Sequence, residues 1–125
     1  MNRIPKAGQL WSHYKHPDKL YEIKGVNVAT REPVVELLYF AKKEDTLEDL
    51  AVYHTAKDNL KLYYVKLTKE REFEKLLKVI TEPHVVYQSK VDGVVWARPY
   101  DDFVEIVSSE EGTDFYRFVR VEWFT

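Results

Sequence analysis

Two short runs bring polar and aromatic groups together in this chain, His13-Tyr14-Lys15 near its start and Trp96-Ala97-Arg98 further along. On a strand, alternate side chains point the same way, so His13 and Lys15 share a face while Tyr14 takes the other. Trp96 and Arg98 share a face for the same reason. A guanidinium beside an indole grips an anionic, ring-bearing ligand through stacking and charge together. Nucleotides and single-stranded nucleic acid fit that description. The candidate ligand-binding residues are therefore His13, Tyr14, Lys15, Trp96 and Arg98. The competing structural reading puts Trp96 in the core and pairs Arg98 with Asp101 or Asp102.

Other chemistries find less support. His13 and His16 have a His-x-x-His spacing, but the segment reads as a strand and a proline turn with no carboxylate cluster at ligand spacing. Surface or partly buried histidines are the better reading there and at His54 and His84, and no metal is expected. The chain has no cysteine, which removes disulfides, thiolate metal sites and cysteine nucleophiles together. Glu44, Asp45, Glu48 and Asp49 read as a solvated loop or short helix. Ser108-Ser109 lacks a base in a recognisable context, and four dispersed glycines make no phosphate loop. A hydrolase using His13 as general base would lack a nucleophile partner. No catalytic motif and no cofactor is expected, and a non-enzyme is favoured.

The bulk properties narrow the class further. A chain of 125 residues is near the commonest domain size, so residues 1–125 are read as a single domain. Nineteen basic against twenty-one acidic side chains leave a net charge of −2. That balance argues against a dedicated duplex-binding protein, whose affinity comes mostly from phosphate neutralisation. The opening residues lack the apolar run of a signal peptide, and no segment approaches the roughly 20 apolar residues of a membrane span. The expectation is a soluble, cytoplasmic protein without membrane partners.

Short strands must position the candidate residues. Gln9 to Lys15 and Leu20 to Val28 read as a strand pair separated by a turn at His16-Pro17-Asp18-Lys19. Further strands are expected at Val34 to Phe40, Ala51 to Thr55, and Leu60 to Leu67, with a turn at Asp58-Asn59. Phe73, Leu76, Leu77 and Ile80 fall at i, i+3, i+4 and i+7, which predicts an amphipathic helix from Lys69 to Thr81 capped by Thr68 and stopped by Pro83. Val85 to Ser89 and Val94 to Pro99 flank a hairpin turn at Asp92-Gly93. Strands at Phe103 to Val107 and Phe115 to Trp123 complete the pattern, joined by the loop Ser108 to Asp114. The fold class is mainly β (α+β): a small curled antiparallel sheet or open β-barrel with one amphipathic helix. A weak echo relates Val52-Tyr53 to Val86-Tyr87 and Asp58-Asn59 to Asp92-Gly93. Two hairpins of similar construction explain it without duplication.

The run Gly8-Gln9-Leu10-Trp11-Ser12-His13-Tyr14-Lys15, followed by Leu20-Tyr21-Glu22-Ile23 and Gly25-Val26, resembles the bacterial domain-of-unknown-function family 1653. That family carries a later Trp-x-Arg-Pro element followed closely by phenylalanine. It is similar to Trp96-Ala97-Arg98-Pro99-Tyr100-Asp101-Asp102-Phe103, and the family's closing Arg-Phe pair is similar to Arg117-Phe118. The likeness covers both ends of the chain, whereas the middle carries extra material. Either Leu37-Leu38-Tyr39 or Leu50-Ala51-Val52-Tyr53 corresponds to the family's Val-Tyr strand. The family has no agreed function, so the resemblance implies a short β module and no activity.

Together these features lead to the expectation of a small, non-catalytic β module that binds a nucleotide-like or single-stranded nucleic-acid ligand. The alternative is a protein-interaction domain using the same aromatic-basic face or a sheet edge. Closing a small sheet commonly brings terminal strands together, which would place His13, Tyr14, Lys15, Trp96 and Arg98 on one surface.

Overall fold

A computed structural model describes residues 4–29, 31–70, 72–108 and 111–121. The expectations that touch Arg71, Ser109, Glu122, Trp123 and the side chain of Phe73 lie outside those residues. Apolar, β-branched and aromatic runs form a nine-stranded sheet. Its strands are β1 (Leu10–His13), β2 (His16–Val26), β3 (Val34–Lys43), β4 (Asp49–Thr55), β5 (Leu60–Leu67), β6 (Phe73–Ile80), β7 (His84–Ser89), β8 (Val95–Pro99) and β11 (Phe118–Val121). They lie in the order β11-β1-β2-β7-β8-β3-β4-β5-β6. All neighbours are antiparallel except β3 and β8, which run parallel and pair at Lys42–Trp96 and Lys43–Ala97. The short strands β9 (Ile106–Ser108) and β10 (Asp114–Tyr116) form a separate two-stranded sheet.

The sheet is curled but not closed into a barrel. Just past the end of β2, Asn27 reaches the start of β5 through an isolated bridge to Leu60. Gly25 permits that approach: its φ is +150°, and a Cβ there would lie 2.8 Å from the Leu60 side chain.

Burial on both faces of β7 divides the interior in two. Val86 packs with Ala41, Leu50, Val52, Leu62 and Ala97 on one side. Val85 and Tyr87 point the other way and pack with Trp11, Ile23, Phe103 and Phe118. The single α-helix among the described residues, α1 (Tyr100–Phe103), is one turn long and drives Phe103 into this second core.

Three expectations about individual elements are corrected. The segment expected to be a helix from Lys69 to Thr81 is β6, paired antiparallel with β5 from Leu62–Ile80 to Leu67–Phe73. Thr68 still accepts the Glu72 backbone N–H at 3.1 Å, but that bond closes the β5–β6 hairpin. The helix instead follows Pro99, in residues expected to begin a strand at Phe103. The first turn is Tyr14-Lys15 and not His16 to Lys19, which open β2 where β1 and β2 shift register between Ser12 and His13. Pro17, which has no N–H to offer the ladder, is accommodated at that irregularity.

The internal echo acquires a physical basis. At the end of β4, the Thr55 hydroxyl accepts the backbone N–H groups of Lys57 and Asn59 at 3.3 and 3.1 Å. At the end of β7, the Ser89 hydroxyl accepts those of Val91 and Asp92 at 3.2 and 3.5 Å. Equivalent hydroxyls thus fold both hairpin loops.

Candidate functional site

Strand alternation sends Tyr87 from β7, and Trp96 and Arg98 from β8, to the same side of the sheet as the second core. The turn after β3 brings Glu44 beside them. Its backbone N–H donates to the Ala97 carbonyl at 2.9 Å, and the turn closes through Leu47 N–H to the Lys43 carbonyl at 2.7 Å. Arg98 then grips the Glu44 carboxylate with both ends of its fork, Nε donating to Oε2 at 2.6 Å and a terminal nitrogen donating to Oε1. The Tyr87 hydroxyl donates to the same Oε2. This bidentate, charge-assisted arrangement is of the strong kind.

The electrostatics follow from the arrangement. Burial alone would raise the Glu44 pKa, but the hydrogen bonds from Arg98 and Tyr87 outweigh it and hold Glu44 below the usual carboxylate range. Burial, reinforced by the adjacent carboxylate, pushes the Tyr87 phenol well above its ordinary value. Arg98 has its charge balanced by Glu44 and lies over the Phe118 ring at 5.2 Å. Phe118 stacks on Phe103 at 4.2 Å between centroids.

His13 closes one side. Its ring meets Phe118 edge-on at 5.1 Å, and its Nδ1 accepts the Lys15 backbone N–H at 3.1 Å. That bond fixes the neutral tautomer with hydrogen on Nε2. Burial, followed by the positive charges of Arg98 and Arg117 and by His16, lowers the His13 pKa from 6.5 to about 4, against an opposing pull from Glu44. His13 is therefore neutral near pH 7.

These groups surround a cleft of about 310 Å³. Tyr21, Trp96 and Phe118 supply aromatic walls, Glu44 and Tyr87 are polar groups within it, and His13, His16 and Lys19 complete the lining. The volume is at the lower end for small-molecule sites. A larger groove of about 510 Å³ lies between Lys24, Tyr39, Gln88 and Val95. Its lysines are ion-paired along the sheet, Lys24 to Glu22 and Lys42 to Asp49. No set of polar groups comparable to Glu44, Arg98 and Tyr87 converges there, so the smaller cleft is the better candidate.

Of the five residues singled out in the sequence, His13 and Trp96 line the cleft, and Arg98 braces it through Glu44. Tyr14 and Lys15 occupy the adjoining turn, with Tyr14 stacked on Phe115 at 6.1 Å and the Lys15 ammonium 5.7 Å from the Tyr14 ring. The Arg98 partner is Glu44, not Asp101 or Asp102. Sequence reasoning placed Glu44 in a solvated acidic loop, and the only hint to the contrary was its position at the end of an apolar strand. Tyr21 and Phe118 enter the sequence reading through the family resemblance and Tyr87 as a strand residue, none of them as a site residue. Among the described residues, no group of three or more His, Cys, Asp or Glu side chains is arranged to hold a metal ion. No helix among them is long and apolar enough to cross a membrane. No family model, curated protein or solved structure matches this chain, so the cleft itself is what bears on function.

Proposed function

We propose that this chain is a non-catalytic binding module whose cleft takes a ring-bearing ligand of nucleotide type, either free or as a base of a single strand. The observation that carries this reading is the grouping of Tyr21, Trp96 and Phe118 around a polar centre whose positive charge is already neutralised. Aromatic walls favour a flat ring by stacking, while the Arg98–Glu44 pair keeps the centre close to neutral. A phosphate, where present, would be met at the rim by Lys19 instead of by Arg98, which differs from the grip the sequence suggested. Catalysis is disfavoured because His13 Nδ1 is occupied by a backbone N–H and not by a hydroxyl nucleophile. The two segments that resemble the family of unknown function both contribute to this cleft, which supports treating them as one binding unit.

Protein recognition is the second reading. It draws on β6, an outermost strand of the sheet, whose Leu76 and Leu77 are exposed. A thermal-shift screen against nucleosides, nucleotides and short oligonucleotides separates the two. A ligand at 100 times its Kd stabilises the fold by about 2.7 kcal/mol, a readily measured rise in Tm. Loss of that rise in Trp96→Ala, with the variant's own ligand-free Tm unchanged, is the expected companion result. Unchanged melting with every ring-bearing probe overturns the ligand reading.

A further inference from the structure

Hydrogen-bonding capacity at the buried end of the cleft centres on Glu44 and His13. Glu44 Oε2 accepts from both Tyr87 and Arg98 Nε, which fills its two lone-pair positions. Oε1 accepts from one Arg98 nitrogen and retains one position, and the Glu44 side chain is still 30% exposed. His13 has the complementary capacity. Its Nδ1 is occupied, so its remaining group is an Nε2–H donor on a ring that lines the same cleft. Glu44 and His13 thus bring an acceptor and a donor to the same cleft between aromatic walls, with Lys19 and His16 also in its lining.

Resting on the binding reading above, we propose that the cleft recognises a nucleobase-type edge: a ring or exocyclic N–H donates to Glu44 Oε1, and a neighbouring ring nitrogen or carbonyl accepts from His13 Nε2–H. The aromatic walls of Tyr21 and Trp96 hold the ring, and the paired polar groups read its edge. An aromatic hydrocarbon or a simple phenyl carboxylate offers no such donor-acceptor pair. Depression of the His13 pKa to about 4 agrees with this arrangement, because it keeps His13 as a single-donor neutral ring.

Methylated nucleosides test the edge directly. The intact protein is titrated with uridine and N3-methyluridine, and with adenosine and N6,N6-dimethyladenosine, using tryptophan fluorescence and calorimetry. The expected result is measurable binding of at least one parent nucleoside and at least tenfold weaker binding of its methylated form, since a site built to pair a polar group rejects analogues that lack it. His13→Phe should weaken the parent nucleoside at least tenfold, whereas His13→Gln, which keeps an N–H donor, should recover part of the loss. If parent and methylated nucleosides bind equally, edge recognition is overturned while the ring-binding cleft stands. If neither nucleosides nor nucleotides bind, the ring-binding reading falls as well.

Discussion

The Asn27 side chain bonds around His84 as a strand would. Its Oδ1 accepts the His84 backbone N–H at 2.6 Å, and its Nδ2 donates to the carbonyls of Ile80 and Glu82, each at 3.1 Å. Asn27 is 4% exposed, and its bonds to the His84 N–H and the Ile80 carbonyl are buried. Asn27→Ala strands the His84 N–H and takes a donor from the Ile80 carbonyl, while the Glu82 carbonyl keeps the His84 ring nitrogen at 2.8 Å, and the change should cost about 1–3 kcal/mol. Asn27→Asp keeps the acceptor but sets a buried charge against two carbonyls, so it should cost at least as much. Urea unfolding with an unchanged m-value and a lowered midpoint checks both.

The Glu44–Arg98 pair makes a second prediction. Glu44→Gln leaves Arg98, whose side chain is only 13% exposed, without its counter-charge. Loss of one member of a buried pair costs about 3–5 kcal/mol, and partial exposure of Glu44 should bring this toward about 2–3 kcal/mol. Removing both charges in Glu44→Gln/Arg98→Met should destabilise by less than the sum of the single changes. Additive costs in the double-mutant cycle would show the two side chains to be uncoupled.

Stability should also depend on pH through His13. The unfolded chain protonates this histidine near pH 6.5, whereas the folded chain does so only near about 4. Between those values the unfolded state binds more protons, so folding stability falls as pH drops from 6.5 toward 4. Glu44, held below its ordinary range, contributes a loss that sets in lower still. His13→Gln should flatten the upper part of the profile and leave the lower part in place, as measured by chemical denaturation across that interval.

Leucine truncation distinguishes the β6 strand from the helix that periodicity suggests. Leu62 is fully buried in the core around Val86, and Leu62→Ala should cost about 2–5 kcal/mol. Leu77 is 54% exposed, so Leu77→Ala should cost less than about 1 kcal/mol. Equal, large effects would place Leu77 in a core and favour the helical packing.

At Gly25 an added methyl meets two penalties, the backbone at φ +150° and the Leu60 side chain 2.8 Å away. Gly25→Ala should cost about 1–3 kcal/mol. In a Leu60→Ala background the same change should cost less, because the steric part is relieved and the conformational part stays. An identical cost in both backgrounds would show that Leu60 gives way freely.

Strands bounded by clear turn residues were legible in the sequence. Asp92-Gly93 marks the β7–β8 hairpin, and Gly93 does take a left-handed φ of 76°. The β6 segment was not legible because apolar residues at 73, 76, 77 and 80 fit a helical face. Register shifts between β5 and β6, at Tyr64/Val65 and Lys66/Leu67, erase the strict alternation that would have marked a strand. The neighbouring apolar run Leu60–Leu67 needs a pairing partner, and that was the available signal. Within the site, strand alternation correctly gave Trp96 and Arg98 a shared face, and His13 reaches the same cleft. Glu44 was beyond reach because its role depends on β3 lying parallel to β8, a pairing between segments more than fifty positions apart.

Adjacency of β1 and β11, paired from Leu10–Val121 to His13–Phe118, governs when the cleft can exist during synthesis. The β3–β6 meander is built from sequential hairpins and can assemble as soon as those residues leave the ribosome. The cleft needs His13 from the first strand and Phe118 from the last described one. Until Phe118 emerges, Trp11, Tyr87 and Phe103 lack a core partner, and β1 presents an unpaired edge. Released chains truncated shortly before residue 118 should therefore carry a folded meander and an exposed aromatic surface. Binding competence is acquired only when β11 docks on β1.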